Sequence, residues 1–401
     1  MVFSNRRHFL QAASLAAMSY NTAWRNSSCS AAESRSVRVG IIGSTGRGDY
    51  GHGVDVACTK LAGAQMIALA DQDENGRQAA RKRVEPQRVY ADFREMLQKE
   101  QLDIVAICPR WLDQHHEMIT ACAEAGCHIY MEKPFCRTLA ECDQVVDLLQ
   151  SRNLKLGIAH ISQYSPVLDV VKQLIAEGEI GDVLELRARG KEDRRGGGED
   201  LWVLGSHVFG LMRSLAGGNA IECSATVLQG GHLVKKADVQ EGAEGIGLLT
   251  GDNLQARYRF ASGAFGHFAS RRDRAGSPSR FAIQVFGSKS VIEMESGYLA
   301  PAYILRDSSW SPGRSGKRWE QITSAGIGQP EPRQDGTYEG GHLAALIDLL
   351  AAIEEDRATR CSAEDARAIV EMIAAVFESH RVGTPVPLPL ETRVNPLALI
   401  S

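Results

Sequence analysis

The chain has 401 residues, of which 44% are hydrophobic, and its 45 Lys and Arg nearly balance its 49 Asp and Glu. This length suffices for two domains with sizeable cores, and a net charge of −4 gives no support to a nucleic-acid-binding protein, which needs a basic face. Nine cysteines are spread singly, without a CxxC pair or zinc-type spacing, which predicts buried thiols and no metal site.

The first 32 residues are typical of an export signal. Paired arginines within Asn5–Leu10 are followed by a mildly apolar stretch, Ala12–Ala23, and then by small polar residues up to Ala32. This order resembles the twin-arginine signal of proteins exported in a folded state. The apolar stretch is too short and too polar to span a bilayer. We therefore expect a signal over residues 1–32, a periplasmic or otherwise exported location and no stable membrane span; a disordered N-terminal tail is the alternative.

A strand, a glycine turn and a helix follow one another at the start of the first domain. The β-branched run Val37–Ile42 predicts a buried strand, and a helix is expected from Gly53 to Lys60. A glycine turn in this context brings backbone N–H groups up to a pyrophosphate. Thr45 occupies the second glycine position, where a side chain can crowd the phosphates. The candidate phosphate-binding residues are Gly43, Thr45, Gly46 and Gly48.

The second strand, Gln65–Ala70, ends at Asp71. An acidic residue about 20 residues after the glycine turn can accept hydrogen bonds from the adenosine ribose hydroxyls, and it would repel a 2′-phosphate. Asp71 therefore favours NAD over NADP as the cofactor. Arg77 and Arg81 on the following helix leave NADP open.

A third unit completes the domain and delivers a charged motif. Its predicted elements are helix Asp92–Lys99, strand Leu102–Ile107, helix His115–Ala125 and strand His128–Met131. Ligands of such sheets bind beyond the carboxyl ends of the strands. Pro109, His115 and Glu132 are therefore expected near the cofactor, and Lys133 and Pro134 complete the motif that ends the last strand.

Taken together, these motifs resemble the glucose–fructose oxidoreductase and inositol dehydrogenase family, Gfo/Idh/MocA. The segments that carry the resemblance are Val39–Gly48, Tyr90–Phe93, Leu102–Pro109, His115, Ala125–Gly126, Glu132–Pro134, Glu179–Val183 and the closing residues Ser379–Leu390. The resemblance implies an NAD(P)-dependent oxidoreductase that acts on a sugar, a polyol or a related hydroxyl compound. It also implies a homo-oligomer, a dimer or a tetramer.

The family fold implies an α/β chain with an N-terminal Rossmann domain over 37–158. An α+β domain with a large open, mostly antiparallel sheet is expected over 159–401 for substrate binding and oligomerisation. Its predicted strands are Val183–Ala188, Ile221–Leu228, Gly245–Leu249, Leu254–Phe260, Gly263–Ser270 and Phe281–Phe286. Gly340–Glu355 and Ala363–Ser379 predict helices, and the Ser-, Gly- and Pro-rich stretch Asp307–Pro332 predicts an irregular insertion.

The resemblance also assigns the catalytic candidates, Lys133 and His207. A lysine of lowered pKa can act as a general base beside the cofactor, and Lys133 matches that position. His207 matches the histidine of an Asp-x-x-x-His-x-x-Asp helix, as a proton relay or substrate ligand. Val203 and Gly210 stand where this pattern has its two aspartates, so a carboxylate partner for His207 is missing.

Other residues are candidate substrate ligands. At the end of a glycine-rich polar loop, Glu199 or Asp200 could replace the missing acid, and Trp202 could stack on a sugar face. Tyr164 is a further candidate, although Gln163 before it replaces an arginine that is common in the family.

Three functions stay open at this stage. The first is a sugar or polyol dehydrogenase. The second is a glycosidase that oxidises its substrate transiently with a retained NAD. The third is a non-catalytic dinucleotide- or ligand-binding protein, which is suggested by the two missing acids and by Thr45.

Overall fold

The structure is a computed structural model that describes residues 36–401, and the export signal predicted over residues 1–32 lies outside this range. The first half of the described chain alternates strands and helices. They are β1 (Val37–Ile42), α1 (Val54–Thr59), β2 (Ala64–Ala70), α2 (Glu74–Val84), β3 (Arg88–Tyr90), α3 (Phe93–Lys99), β4 (Ile104–Ile107), α4 (His115–Glu124), β5 (His128–Met131), α5 (Leu139–Ser151) and β6 (Leu156–Ile158).

Within the described residues these six strands form one parallel sheet in the order β3-β2-β1-β4-β5-β6. This is the doubly wound order of a Rossmann fold, and it places the carboxyl ends of β1, β4 and β5 side by side. The central strand β4 is buried along its whole length, as expected for a sheet with helices on both faces. Side chains at helix starts support the local structure, because Asp73 and Thr138 each accept a hydrogen bond from a first-turn N–H.

The second half builds a larger sheet. Its elements are α6 (Pro166–Ala176), β7 (Val183–Arg189), α7 (Gly198–Asp200), α8 (Ser206–Ala216), β8 (Ala220–Gln229), β9 (His232–Leu233), β10 (Gln240–Glu241), β11 (Leu248–Leu249), β12 (Asn253–Phe260), β13 (Phe265–Arg271), β14 (Ala282–Gly287), β15 (Val291–Glu295), β16 (Ala302–Leu305), α9 (Pro312–Ser315), β17 (Trp319–Thr323), β18 (Gly326–Ile327), α10 (Tyr338–Glu354), α11 (Ala363–Val382) and β19 (Val386–Pro387).

In the part of the chain that the structure describes, eleven of these strands join in the order β18-β17-β16-β15-β14-β7-β13-β12-β8-β19, with β9 beside β8. All neighbours pair antiparallel except β7 and β13, which run parallel. Alternate residues of β12 are buried, which is the pattern of a sheet with one covered face. The predicted fold class, a Rossmann domain followed by an α+β domain with a mostly antiparallel sheet, is confirmed.

Two predictions in the second half were wrong. The strand predicted over Gly245–Leu249 is reduced to Leu248–Leu249, because Gly245 and Gly247 have positive φ angles that interrupt an extended backbone. The stretch Asp307–Pro332, predicted as irregular, contains α9, β17 and β18. Strand β17 extends the large sheet because it pairs with β16, with Trp319 opposite Leu305.

Helices α5 and α11 join the two halves. Asp143 on α5 accepts hydrogen bonds from Arg367 on α11, at 2.7 Å, and from Nε of Arg393 near the C-terminus, at 2.8 Å. Helix α11 begins with a capping box between Ser362 and Asp365, which satisfies free N–H groups of its first turn. These contacts tie the C-terminal half of the chain to the Rossmann half.

Candidate functional site

A pocket of about 390 Å³ lies beyond the carboxyl ends of β5 and β6. Both halves of the chain contribute to its wall, and we call it the central pocket. Its lining residues are His52, Glu132, Lys133, Ala159, Ile161, Leu204, His207, Phe281, Ser296, Gly297, Tyr298, Gly336, Thr337, Tyr338 and His342. Polar groups gathered in a concave site at this edge of a parallel sheet are typical of a substrate site.

Lys133 reaches the central pocket directly from the end of β5. The peptide bond between Lys133 and Pro134 is cis, and the Lys133 Nζ donates a hydrogen bond to the Val203 carbonyl oxygen at 2.9 Å. Burial lowers the pKa of the Lys133 ammonium, against the opposing charge of Glu132. A buried amine of lowered pKa can hold a hydroxyl oxygen or exchange a proton with it.

Glu132 is fully buried beside Lys133. Its Oε1 accepts hydrogen bonds from the backbone N–H of His52 at 3.0 Å and from the His52 Nδ1 at 2.7 Å, and its Oε2 accepts one from the Lys133 N–H at 3.0 Å. Burial alone would raise the pKa of this carboxyl group, but the hydrogen bond and charge of His52 outweigh burial and lower the pKa to about 2. Glu132 is therefore a fixed negative charge in the wall of the pocket.

His207 faces the central pocket from α8. Burial lowers its pKa well below the ordinary value, and the nearby Lys133 lowers it further. The ring meets His160 edge-on at 5.2 Å between centroids, and burial lowers the pKa of His160 to about 3. Among the described residues the His207 Nδ1 has no hydrogen-bond partner. His207 is thus a neutral imidazole without a carboxylate, as the sequence at Val203 and Gly210 predicts.

The structure gives a packing reason for one missing acid. A Cβ atom placed on Gly210 would stand 3.0 Å from the Gln163 Nε2 and 3.4 Å from the Ile369 Cδ1. Gln163 is itself held by Ser214, whose hydroxyl donates to the Gln163 Oε1 at 2.6 Å. The glutamine therefore occupies space that a carboxylate at position 210 would require.

The glycine segment 43–53 folds down onto the strand ends. Ser44 and Asp49 close a tight turn that contains Gly48, and Gly51 follows it; both glycines have positive φ angles. A Cβ on Gly48 would lie 2.3 Å from the Arg110 backbone nitrogen, and one on Gly51 would lie 2.5 Å from Glu132. Helix α1 begins at Val54, close to the predicted start, so several residues of turn separate Gly48 from the helix.

Asp71 and Thr45 interact directly at the end of β2. Asp71 accepts hydrogen bonds from the Thr45 hydroxyl at 2.7 Å and from the backbone N–H groups of Thr45 and Asp73. The Thr45 side chain is therefore turned toward Asp71, which corrects the expectation that it crowds a phosphate. Arg77 donates to the Asp71 carbonyl and pairs with Glu74, so it is already engaged.

A cleft beside Asp71 has the residues that an adenosine requires. Gly43, Ser44, Asp71, Phe93, Gln114 and Met118 are among the residues that line it. Its volume is only about 10 Å³, and Ser44 and Gln114 approach each other across it at 3.4 Å. An acidic group between apolar side chains fits a ribose and an adenine ring. Side chains such as Gln114 must move aside to admit them.

Pro109 and His115 support the strand ends from beneath. The two ring nitrogens of the buried His115 lie 2.8 Å from the carbonyl oxygens of Pro109 and Pro134. The histidine thus ties the turn after β4 to the turn after β5. Its ring is fully buried and does not line the central pocket, so the cofactor contact predicted for it is replaced by these hydrogen bonds within the protein.

Three predicted substrate ligands lie outside the central pocket. The Asp200 carboxylate is buried and accepts hydrogen bonds from Ser270 and from the backbone of residues 191 and 192. Trp202 is buried in the core, and the buried Tyr164 donates to the Ile158 carbonyl at 3.3 Å. These three side chains are buried and make contacts inside the protein. The substrate roles predicted for them are therefore corrected.

Several residues of the central pocket were not predicted as site residues. His52 stacks on Tyr338 at 5.0 Å between ring centroids, and the His342 Nδ1 lies 2.7 Å from the Tyr130 hydroxyl. Tyr338 and His342 stand on consecutive turns of α10, whereas the helix predicted from the sequence began only at Gly340. His52 lies in the motif Tyr50–Gly53, and the histidine between two glycines was the available signal.

Three further observations concern metal-type clusters, cysteines and helix length. Within residues 36–401 no group of three or more His, Cys, Asp or Glu side chains is arranged to hold a metal ion. The eight cysteines described by the structure are buried free thiols, as predicted. Among the helices that the structure describes, none combines the length and the apolar character needed to cross a bilayer.

Comparisons with known proteins agree with this architecture. Residues 37–160 match the model of an oxidoreductase family with an NAD-binding Rossmann fold, named GFO_IDH_MocA, and residues 172–388 match the C-terminal α/β domain of the same family.

Curated relatives align over part of the chain. The myo-inositol 2-dehydrogenase of Thermotoga maritima is 26% identical over 266 residues, which is 64% of this chain and 74% of that protein. The levoglucosan dehydrogenase of Pseudarthrobacter phenanthrenivorans is 26% identical over 230 residues, 50% of this chain and 57% of that protein. A solved structure of levoglucosan dehydrogenase with NADH and levoglucosan covers 88% of this chain and 100% of its own, with a TM-score of 0.71 and 21% identity. At this identity the structural likeness concerns the fold.

Proposed function

Because the chain belongs to the Gfo/Idh/MocA oxidoreductase family, we propose that it is an NAD-dependent dehydrogenase of a sugar or polyol hydroxyl group. The observation that carries the proposal is Lys133, which extends from a Rossmann strand end into the central pocket with a lowered pKa. Its position suits hydride chemistry, because a buried amine at this strand end can hold the hydroxyl oxygen of the carbon that loses its hydride.

The residues fit an NAD molecule along the Rossmann edge. Asp71 would hold the adenosine ribose, the turn Gly43–Gly48 would lie against the phosphates, and Glu132 and Lys133 would border the nicotinamide end. When bound, NAD⁺ supplies the acceptor for the hydride. The carboxylate of Asp71 favours NAD over NADP, because it would repel a 2′-phosphate.

The central pocket offers groups of two kinds to the substrate. Lys133 and His207 are polar groups that can bind the reacting hydroxyl and its neighbours. The rings of Phe281, Tyr298 and Tyr338 supply apolar faces for the C–H groups of a sugar ring. Myo-inositol and levoglucosan, which are named in the relatives, are the first substrates to test.

We also propose that the protein is exported through the twin-arginine route and acts as a homo-oligomer. The support for export is the paired arginines and apolar stretch of residues 1–32. Export in the folded state would allow NAD to be loaded in the cytoplasm, and it predicts a tightly held cofactor. Replacing Arg6 and Arg7 together by Lys should leave the protein in the cytoplasm, as cell fractionation would measure.

Native mass spectrometry and an NADH absorbance assay test the proposed function together. We expect one NAD per subunit in the purified mature protein, a dimer or tetramer, and NADH formation with at least one member of a panel of polyols and anhydrosugars. Release of a chromogenic leaving group from glycosides without NADH formation would identify a glycosidase instead. A folded protein without a dinucleotide and without turnover would contradict both activities.

A further inference from the structure

His52 is paired with a carboxylate inside the central pocket. Its Nδ1 lies 2.7 Å from Oε1 of the buried Glu132, and its side chain keeps 29% of its surface exposed. Among the described residues that line the pocket, no other imidazole is hydrogen-bonded to a carboxylate: His342 pairs with the Tyr130 hydroxyl, and the His207 Nδ1 has no partner. The environment of His52 therefore differs from that of every other pocket histidine.

The pairing determines which nitrogen of a neutral His52 carries the proton. Glu132 is ionised and accepts a hydrogen bond from Nδ1, so the neutral ring carries its proton there and Nε2 is left with a free lone pair. Stacking on Tyr338 fixes the plane of the ring against the pocket wall. A carboxylate behind an imidazole orients the ring and stabilises the imidazolium that forms when Nε2 takes a proton.

We propose that His52 is a catalytic residue and that Glu132 positions it, an inference that rests on the proposed dehydrogenase function. The substrate O–H bond breaks and its proton forms an N–H bond at the His52 Nε2. The C–H bond breaks, its electron pair leaves as hydride to the oxidised nicotinamide, and the carbon becomes a carbonyl. The proton then leaves to solvent from the exposed edge of His52.

In this proposal the pocket residues have different roles. Lys133, whose Nζ is buried and bonded to the Val203 carbonyl, holds the substrate oxygen. His207, neutral and without a carboxylate, binds the substrate without taking its proton. His52 thus takes the proton-transfer role for which the sequence pattern pointed to Lys133 and His207.

The pH dependence of the reaction involves the groups that face His52. They are Glu132 at the end of β5, Tyr338 and His342 on α10, and His207 on α8, with Lys133 in the same pocket. Glu132, with a pKa of about 2, stays charged throughout the working range. A general base must be unprotonated to accept a proton, so the pH–rate profile of the oxidation should have an acid limb.

His52→Ala tests the proposal with a polyol that the wild type oxidises, starting with myo-inositol and levoglucosan. The His52 backbone N–H still donates to Glu132 in this variant, which favours retention of the loop. We expect kcat to fall by about 100-fold with little change in KM, the acid limb of the pH–rate profile to disappear, and added imidazole to restore at least about one-tenth of the lost rate. His52→Gln, which can still donate to Glu132, should lose activity equally and should not lose stability.

Three further variants make the result specific. His207→Asn should mainly raise KM, because His207 binds the substrate. Glu132→Gln should lower kcat and move the acid limb of the pH–rate profile, because Glu132 acts on the reaction by positioning His52. His232→Ala, which removes a carboxylate-paired histidine at the surface, should change nothing. His52→Ala or His52→Gln with wild-type kcat and an unchanged acid limb would overturn the proposal while leaving the dehydrogenase intact. A wild type that reduces NAD⁺ with none of the polyols would overturn both.

Discussion

Lys133 and Asp71 each stand at the carboxyl end of a parallel strand, and that position determines what each can contact. Lys133 follows β5 and enters the central pocket, whereas Asp71 follows β2 and meets the glycine turn at Thr45. In both places the backbone directs a charged group to the edge of the sheet where ligands bind. The sequence could indicate both residues because each follows a recognisable strand.

Lys133→Met should reduce turnover by at least about 100-fold, because it removes the ammonium that holds the reacting oxygen while keeping the length of the side chain. NADH absorbance measures turnover, and calorimetry should show that NAD⁺ still binds. Lys172→Met is the matched control, since burial also lowers the pKa of Lys172 but the residue lies on α6, away from the pocket. Equal activity losses in the two variants would contradict a specific role for Lys133.

Asp71→Asn should weaken NAD⁺ binding by about 10-fold or more, because a charge-assisted hydrogen bond to the ribose would be replaced by a neutral one. The preference for NAD⁺ over NADP⁺ should narrow at the same time. Asp73→Asn, two residues later, retains a good helix cap and should bind NAD⁺ normally. Calorimetric titration with NAD⁺ and NADP⁺ measures both affinities. An unchanged NAD⁺ affinity in Asp71→Asn would contradict a hydrogen bond from the adenosine ribose to Asp71.

At the scale of elements, regular segments were easier to predict than turns. The predicted ends of strands β1, β4 and β5 lie within two residues of the observed ends, because a short apolar run predicts a buried strand from neighbouring residues alone. Strand β17 was not predicted, because the Ser- and Gly-rich residues around it are typical of a loop. It is a strand because it pairs with β16. The course of 43–53 was also not predictable, because contacts with Arg110 and Glu132 determine it.

Gly48→Ala and Gly46→Ala distinguish backbone strain from steric overlap as causes of lost stability in the turn of residues 43–53. Both glycines have positive φ, so either substitution should cost about 1–2 kcal/mol of backbone strain. At Gly48 the new methyl group would also meet the Arg110 backbone, which should cost a further 1–3 kcal/mol or so, whereas nothing lies within 4 Å at Gly46. Urea unfolding measures the difference, and equal losses of stability would contradict this packing of the turn.

At the scale of the whole molecule, the central pocket exists only where the two halves meet. His52 and Tyr338 are 286 positions apart in sequence and stack face to face, and α5 and α11 hold the halves in that arrangement. Apart from His207, the pocket residues of the second half follow no local motif, so their joint position could not be predicted from the sequence.

The Asp143 contacts with Arg367 and Arg393 should make stability depend on pH. Burial raises the pKa of Asp143, but the two arginines outweigh it and hold the pKa below its ordinary value of 3.8. Stabilisation by a carboxyl of lowered pKa is present above the ordinary value and is lost as pH falls through the lowered one. The unfolding free energies of wild type and Asp143→Asn should therefore differ most at neutral pH and converge in acid.

Chemical denaturation across this pH range provides the measurement. Asp356→Asn serves as the comparison, because Asp356 pairs with Lys155 at the exposed surface and should contribute little. A gap between wild type and Asp143→Asn that persists unchanged in acid would show that the contact stabilises through packing and not through charge.

By itself, the sequence determined the Rossmann half, the order of the two halves, the candidate NAD edge and Lys133. These follow from contiguous strand, turn and helix signals, in which each residue is read against its neighbours. Only the tertiary structure decided that Asp200, Trp202 and Tyr164 are buried away from the central pocket. It also decided that His52 is hydrogen-bonded to Glu132 in that pocket. The physical reason is that hydrogen-bond partners and solvent exposure depend on which distant segments pack together, and no local pattern records that.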